Sequence, residues 1–290
     1  MHRVSMLLVA AAALAGCRVS DSPGNTVAAN EAAPAAAAPA VATVPMALSR
    51  IDCGRVDVAD FTGVFSDKKA YPPGPRQLAS SCYLVRHGET IMIWDTGFSV
   101  DLKGKTKDMG GLIASLDRTV VEQLADGGLK PADVDVLGIS HSHADHTGQA
   151  ALFPTARLII GKADFDAIKG KDDPFGPWRK AGAKVTTTEG DLDVFGDGTV
   201  VAYFLPGHTP GHMALLVRLK SGPVLLSGDV VHGHDTLELK AVPTFNTDRA
   251  QSIASMERFE KLAKETGAKV IIQHELQDIA KLPAYPKAAQ

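Results

Sequence analysis

Residues 138–150 read GISHSHADHTGQA, so His141, His143, Asp145 and His146 fall within six positions, directly after the apolar run VDVLGIS. On an extended strand end, side chains two apart point to the same side, which pairs His141 with His143. Asp145 and His146 lie past the turn and can approach from a neighbouring direction. One short loop can then serve two adjacent metal ions. Imidazole and carboxylate suit Zn²⁺, and no cysteine stands nearby to close a purely structural site. A fold that uses this loop must bring further ligands to the same place. The chain offers His208 after the strand-like run 199–205, Asp229 after 224–226, and His274 after 270–272.

The rest of the folded part alternates β-like runs with amphipathic helical ones. RIDCGRVDVADF (50–61), SSCYLVRHG (80–88) and TIMIWDTG (90–97) read as strands. Further strands are expected at 157–160, 185–188, 199–205, 214–219, 224–226 and 268–272. A helix is expected within 117–126, stopped by Gly127-Gly128. A longer one is expected over 248–266, with Thr247 as cap and Gly267 as stop. Antiparallel-looking strand groups with interspersed helices predict two sheets packed together under outer helices, a four-layer αβ/βα sandwich.

The N-terminus departs from this pattern. MHRVSMLLVAAAALAGC has a basic start, a short apolar run and small residues before Cys17, which reads as a secretory signal over 1–17. Its end, Leu14-Ala15-Gly16-Cys17, resembles a bacterial lipoprotein box, which implies lipidation of Cys17. Arg18 in the next position favours the outer membrane by analogy. Residues 18–46 are rich in Ala and Pro and cannot bury enough apolar surface to offset their ordering entropy, so they read as a tether. The catalytic domain is then expected over 47–290. The expected location is the periplasm or the outer membrane, with membrane contact only through the anchor. Cys53 and Cys82 remain, and the sequence leaves open whether they pair or stay as buried thiols. A formal charge of −3 with no block of like charges argues against nucleic acid as a partner.

The motifs WDTG, HSHADH, PGHTPGH, SGD and QHE, in this order, resemble those of metallo-β-lactamase-fold hydrolases over about residues 48–285. The resemblance implies one zinc on His141, His143 and His208, a second on Asp145, His146 and His274, and Asp229 bridging them. RIDCGRVDVADFTGVFSD, SCYLVRHG and GISHSHADHTGQAALFP narrow it to the exported N-acyl-homoserine lactonases. That family implies two Zn²⁺ per chain and a small-molecule lactone substrate with an acyl tail. The expected chemistry is ring opening by a metal-bridging hydroxide, with Asp145 or water delivering a proton to the leaving alkoxide. Many such lactonases carry a tyrosine three residues after the bridging aspartate. This chain has His232, whose imidazole can also donate a hydrogen bond to the substrate carbonyl.

Asp95 is expected to orient a ligand loop and His212 to be structural, while His87 and His234 are expected to be solvated. Candidate walls for an acyl groove are Phe98, Met109, Leu112, Ile113, Phe175, Trp178 and Phe245. Other zinc esterases or thioesterases of the fold are alternatives; hydroxyacylglutathione hydrolases add a C-terminal helical domain, whereas this sequence stops soon after His274. Asp229 disfavours a β-lactamase, and His143 disfavours a diiron oxidoreductase, which usually has glutamate there. A zinc-binding lipoprotein without catalysis is the remaining alternative.

Overall fold

A computed structural model describes residues 44–290. The signal read over 1–17 and nearly all of the tether read over 18–46 lie outside the described residues. The first sheet is built from β1 (Met46–Val58), β2 (Arg76–His87), β3 (Thr90–Trp94), β4 (Thr106–Asp108), β5 (Leu112–Ser115), β6 (Val136–Gly138), β7 (Arg157–Gly161) and β8 (Val185–Thr188). The second takes β9 (Leu192–Asp193), β10 (Val200–Phe204), β11 (Met213–Leu219), β12 (Gly222–Leu226) and β13 (Lys269–Ile271). Their orders are β4-β5-β1-β2-β3-β6-β7-β8 and β13-β12-β11-β10-β9. The helices are α1 (Phe61–Phe65), α2 (Val120–Asp126), α3 (Ala144–Thr147), α4 (Lys162–Ala167), α5 (His234–Leu239), α6 (Arg249–Thr266) and α7 (Leu276–Ile279).

Alternation along the strands makes the layers. Tyr83, Val85, Met92 and Trp94 face Val200, Ala202, Leu215 and Val217 between the sheets. Their neighbours Cys82, Leu84, Ile91 and Ile93 point the other way, under Val120 and Leu124 of α2. On the second sheet, Ala214, Leu216 and Leu225 pack against Met256 and Phe259 of α6. Each fully buried Val, Leu, Ile, Phe or Met among them contributes roughly 1.5–3 kcal/mol. The four-layer sandwich expected from the sequence is thus the observed fold.

The parallel pairings decide where a site can form. β3 pairs with β6 and β6 with β7 in parallel, as β12 does with β13. Parallel neighbours send their carboxyl ends to one edge, and in open α/β sheets that edge holds the ligand. Asp95, His141, Asp229 and His274 all follow within three residues of these ends.

Several local expectations need correction. The first strand, expected over 50–61, begins at Met46, one residue before the expected domain boundary, and stops at Val58, because Asp60 caps α1 by accepting from Gly63 N at 3.0 Å. The third strand ends at Trp94, since Asp95 takes a left-handed φ of 62° that no strand continues. The long helix is capped by Asp248, which accepts from Gln251 N at 3.0 Å, and not by Thr247. Phe175 and Trp178 belong to the core under α2, with Trp178 Nε1 donating to Ala156 O at 2.8 Å, so they line no groove. Ile113 is exposed on the face of β5 opposite Leu112 and Ala114.

Cys53 and Cys82 form a disulfide between the adjacent strands β1 and β2. It lies beneath the loop that follows β3. Gly97 has a φ of 67°, and a Cβ there would sit 2.5 Å from Cys53 Cβ, so only glycine lets the loop close on the disulfide.

Candidate metal centre

Ser140 ends β6 by donating its backbone N–H to Asp95 Oδ1 at 2.7 Å, while its carbonyl accepts from Met213 N. This fixes the point from which the histidine loop leaves the sheet. His141 and His143 then face one side, with His141 Nε2 and His143 Nδ1 3.0 Å apart. The single turn of α3 follows and carries Asp145 and His146 around to a second position. Ser80 Oγ and Thr96 Oγ1 hold that turn by donating to the carbonyls of Asp145 and His146.

His208 arrives from the β10–β11 connection, its Nε2 3.0 Å from His143 Nδ1. The approach depends on Gly207, where φ is 133° and a Cβ would meet Ser252 N of α6 at 2.3 Å. The backbone N–H groups of Thr247 and Asp248 donate to the carbonyls of His208 and Gly207 and seat the loop on the start of α6. His274 comes from the end of β13, its Nδ1 donating to Ala79 O at 2.5 Å. A carbonyl can only accept, so Nε2 is left as the ligand atom.

Three groups result, the third sharing members with the other two. One ligand atom from each of His141, His143, His208 and Asp229 lies within 4.8 Å of the others, as do those of Asp145, His146 and His274, and those of Asp229, His232 and His274. Asp229 joins them. Its Oδ1 stands 3.2 Å from His146 Nε2 and 2.9 Å from His274 Nε2, and its Oδ2 stands 3.3 Å from His208 Nε2 and 3.6 Å from His141 Nε2. All seven residues named from the sequence for this role are brought together. His232 lies at the same place, its Nε2 3.1 Å from Asp229 Oδ2.

The electrostatics suit a cation. Burial drives the imidazoles of His141, His143 and His208 down, His143 to about 4, so these rings are neutral and offer lone pairs. Burial opposes charge on His146 and His274, but the Asp229 and Asp145 carboxylates, joined by Asp95 at His146, together outweigh it and push both up. Burial alone would raise Asp229; His274, His146 and His141 instead hold it well below the usual carboxylate range. His146 Nε2 and Asp229 Oδ1 are buried and make no hydrogen bond of acceptable geometry among the described residues. Such orphans each cost about 1–3 kcal/mol, a cost that a cation between them removes. The residues fit a divalent metal.

A surrounding set of side chains holds the ligands. Asp95 accepts from Ser140 Oγ, Gln273 Nε2 and His146 Nδ1 at 2.8–2.9 Å, which leaves His146 Nε2 as the ligand atom. His212 Nε2 accepts the backbone N–H of Asp229 at 2.8 Å. Asp164 of α4 was not visible as functional in the sequence. It accepts from Ser142 N, Thr209 Oγ1 and Gly211 N and so ties the His141 loop to the His208 loop. Gln273 was also missed, although it adjoins His274. His87 is not solvated as expected: it stacks on Phe195 and pairs with Asp197 at 2.7 Å, on β2 and away from the site. His234 is largely exposed and reaches Asp278 at 2.8 Å.

Above the site opens a cavity of 230 Å³ whose walls include Phe98, Met109, Leu112 and Phe245. Val56, Phe65 and Leu78 complete the apolar wall. Nothing in the sequence distinguished these three from core.

Residues 75–274 match the Metallo-beta-lactamase superfamily. The N-acyl homoserine lactonase AttM of Azorhizobium caulinodans is 31% identical over 227 residues, covering 71% of this chain and 84% of that protein. Among solved structures, an N-acyl homoserine lactone hydrolase with the product N-hexanoyl-L-homoserine at its catalytic metal centre superposes with a TM-score of 0.71. It is 23% identical and covers 85% of this chain and 100% of its own. The dizinc quorum-quenching lactonase AidC gives a TM-score of 0.58 at 17% identity, over 84% of this chain and 90% of its own. Fold, ligand-rich edge and sequence similarity agree: the chain belongs to the metallo-beta-lactamase superfamily, as a metal-dependent hydrolase of its N-acyl homoserine lactonase family.

Proposed function

We propose that this protein opens the lactone ring of N-acyl homoserine lactones. One zinc ion would be held by His141, His143 and His208, a second by Asp145, His146 and His274, with Asp229 shared. The observation that carries the reading is the split of Asp229, one oxygen to each histidine group, at the floor of an apolar cavity. An imidazole and carboxylate ligand set suits zinc, and the dizinc lactonase of the same fold supports two ions. Bound there, such ions supply Lewis acidity and a water with its pKa lowered toward neutrality.

The chain's own residues then divide the work. The apolar walls take the acyl tail and exclude water, while the polar ring rests on the floor. His232 lines that floor. Burial, outweighing the Asp229 carboxylate, lowers its pKa, so the ring is a neutral imidazole whose one N–H, on Nε2, faces Asp229 Oδ2 at 3.1 Å. In this reading that N–H turns to the oxyanion that develops on the lactone carbonyl when Asp229 is engaged by metal. Asp145 keeps part of its side chain open to the cavity, where it, or a water beside it, takes the proton given up by the attacking water and passes it to the departing ring oxygen. The product is the open N-acyl homoserine with a new carboxylate.

In the same reading the protein is exported and anchored through Cys17. The Cys53–Cys82 disulfide supports export, because such bonds persist in oxidising compartments. The test is ring opening of short- and long-chain lactones by the protein, its chelated form and Asp229→Ala, with zinc assayed on each sample. Chelator-sensitive opening that Asp229→Ala loses is expected. Full zinc loading without lactone turnover would overturn the substrate and redirect the search to thioesters.

A further inference from the structure

The loop from Asp229 to α5 carries His232, whose Nε2 faces Asp229 Oδ2 at 3.1 Å within that same loop, so the aim of the ring depends on what holds the loop. The structure surrounds it from one side. Tyr71, buried after α1, shares a hydrogen bond of 2.7 Å with Thr236 Oγ1, which itself accepts from Gly233 N at 3.1 Å. Arg76, the first residue of β2, grips Asp235 with both terminal nitrogens, at 3.3 and 2.9 Å. Gly233 is pressed onto this pair: a Cβ there would lie 2.8 Å from Arg76 Nη1 and 2.9 Å from Asp235 Oδ1. Thus Asp235 and Thr236, at the start of α5 and just beyond His232, are held by two side chains from a segment some 160 residues earlier.

The same guanidinium reaches His232 by a second route. It lies 4.0 Å over the Phe61 ring, Phe61 stacks on Phe65 at 4.8 Å, and Phe65 packs against the His232 ring at 5.0 Å. Phe61 and Phe65 stand four apart on α1, so one helical turn presents both rings on one face. On its far side His232 stacks parallel to His274 at 5.6 Å. The ring is therefore fixed by a loop clamp and an aromatic stack that share one cation.

We infer that Arg76, with Tyr71, is a positioning residue that sets the His232 imidazole over the reaction centre. The inference rests on the role proposed for His232. The Arg76–Asp235 pair is 30% exposed on each side, and pairs so exposed add little stability. Its value then lies in aim. Lysine in its place keeps the charge but loses the two-pronged grip and the flat cation on Phe61.

The test compares Arg76→Gln, Arg76→Lys, Tyr71→Phe, His232→Ala and the double variant Arg76→Gln/His232→Ala, each metal-loaded. Arg76→Gln is expected to lower kcat by about ten-fold while KM moves less than about two-fold, with metal content and Tm close to wild type. Arg76→Lys and Tyr71→Phe fall between. In the His232→Ala background Arg76→Gln has no further effect, because the group it aims is gone. A second readout needs no substrate. The His232 imidazole NMR signal, identified by its loss in His232→Ala, shifts in Arg76→Gln and stays in place in Arg118→Gln, which removes a surface pair with Asp126. An unmoved signal, or equal losses with and without His232, would overturn the inference. Should the wild type open no lactone, the substrate reading fails and the NMR comparison still decides the clamp.

Discussion

Replacing Asp95 by asparagine should weaken one metal site far more than the other. The carboxylate is fully buried and accepts four hydrogen bonds: Ser140 N on Oδ1, and Ser140 Oγ, Gln273 Nε2 and His146 Nδ1 on Oδ2. Asparagine has the same shape and tolerates the left-handed φ of 62°, so backbone strain contributes little. Its amide, however, must point NH₂ at a donor whichever way it turns. Facing Ser140 N it loses one bond, and facing the other three it loses more, so one direction wins. At about 1–3 kcal/mol per orphaned buried donor, the protein loses about 2 kcal/mol of stability. The loss of a charged acceptor also makes His146 a poorer ligand, by about ten- to a hundred-fold in metal affinity. His141 touches Asp95 only through Ser140 Oγ, at 3.1 Å, and is affected less. Titration of the metal-free protein with zinc against a chromophoric chelator resolves the two affinities, and thermal melts of the metal-free form give the stability. Two affinities equal to wild type, or equally reduced, would refute the argument that Asp95 serves the His146 position.

Three further outcomes follow from the same contacts. Removing the disulfide by Cys53→Ala/Cys82→Ala opens a loop of 29 residues, which by chain entropy costs about 3.6 kcal/mol in urea unfolding; a loss under about 1 kcal/mol would mean that the packing around Gly97 holds the strands without it. His212→Ala strips the buried Asp229 N–H of its acceptor and leaves a hole, so stability falls by about 2–4 kcal/mol and turnover with it; retained turnover would show that Asp229 is held elsewhere. Met109→Trp fills the partly exposed mouth of the cavity. Its kcat/KM for long-chain lactones should drop by at least about ten-fold while short chains stay within about two-fold, and equal losses for both would place the tail elsewhere.

The ligand candidates were legible because each couples a metal-binding side chain to the end of an apolar run, and a strand end is where a sheet exposes chemistry. What supports them was not. Asp164 meets Ser142, Thr209 and Gly211 across 22, 45 and 47 residues, and a lone aspartate in a helix carries no local sign of such partners. Val56, Phe65 and Leu78 look like core from the sequence, since a groove wall and a core obey the same hydrophobic pattern. The hairpin of β4 and β5 escaped notice because Thr106, Lys107 and Asp108 are all exposed and show no alternation. Thr247 and Asp248 both have capping side chains, and only the backbone geometry chooses between them.

These two classes of residue also sit on different parts of the fold. The ligands and their supports stand at the ends of β3, β6, β10, β12 and β13 and on α4, and the side chains of these strands fill the layers on both faces of the sheets. The groove is made largely by additions at the rim: α1 gives Phe65, the β4–β5 hairpin gives Met109 and Leu112, and the approach to α6 gives Phe245. Met109 and Phe245 are more than 40% exposed, so changing them disturbs no packed layer. The Asp108 side chain holds the hairpin tip by accepting from Gly110 N and Gly111 N, both glycines with positive φ. Substrate choice can therefore be altered at the rim while the metal-binding edge keeps its geometry. Arg76 is the exception that connects them: through Phe61 and Phe65 it touches the groove wall, and through Asp235 it touches the loop of His232. A substitution at Phe65 should for that reason change both chain-length preference and kcat, whereas one at Met109 should change the first alone.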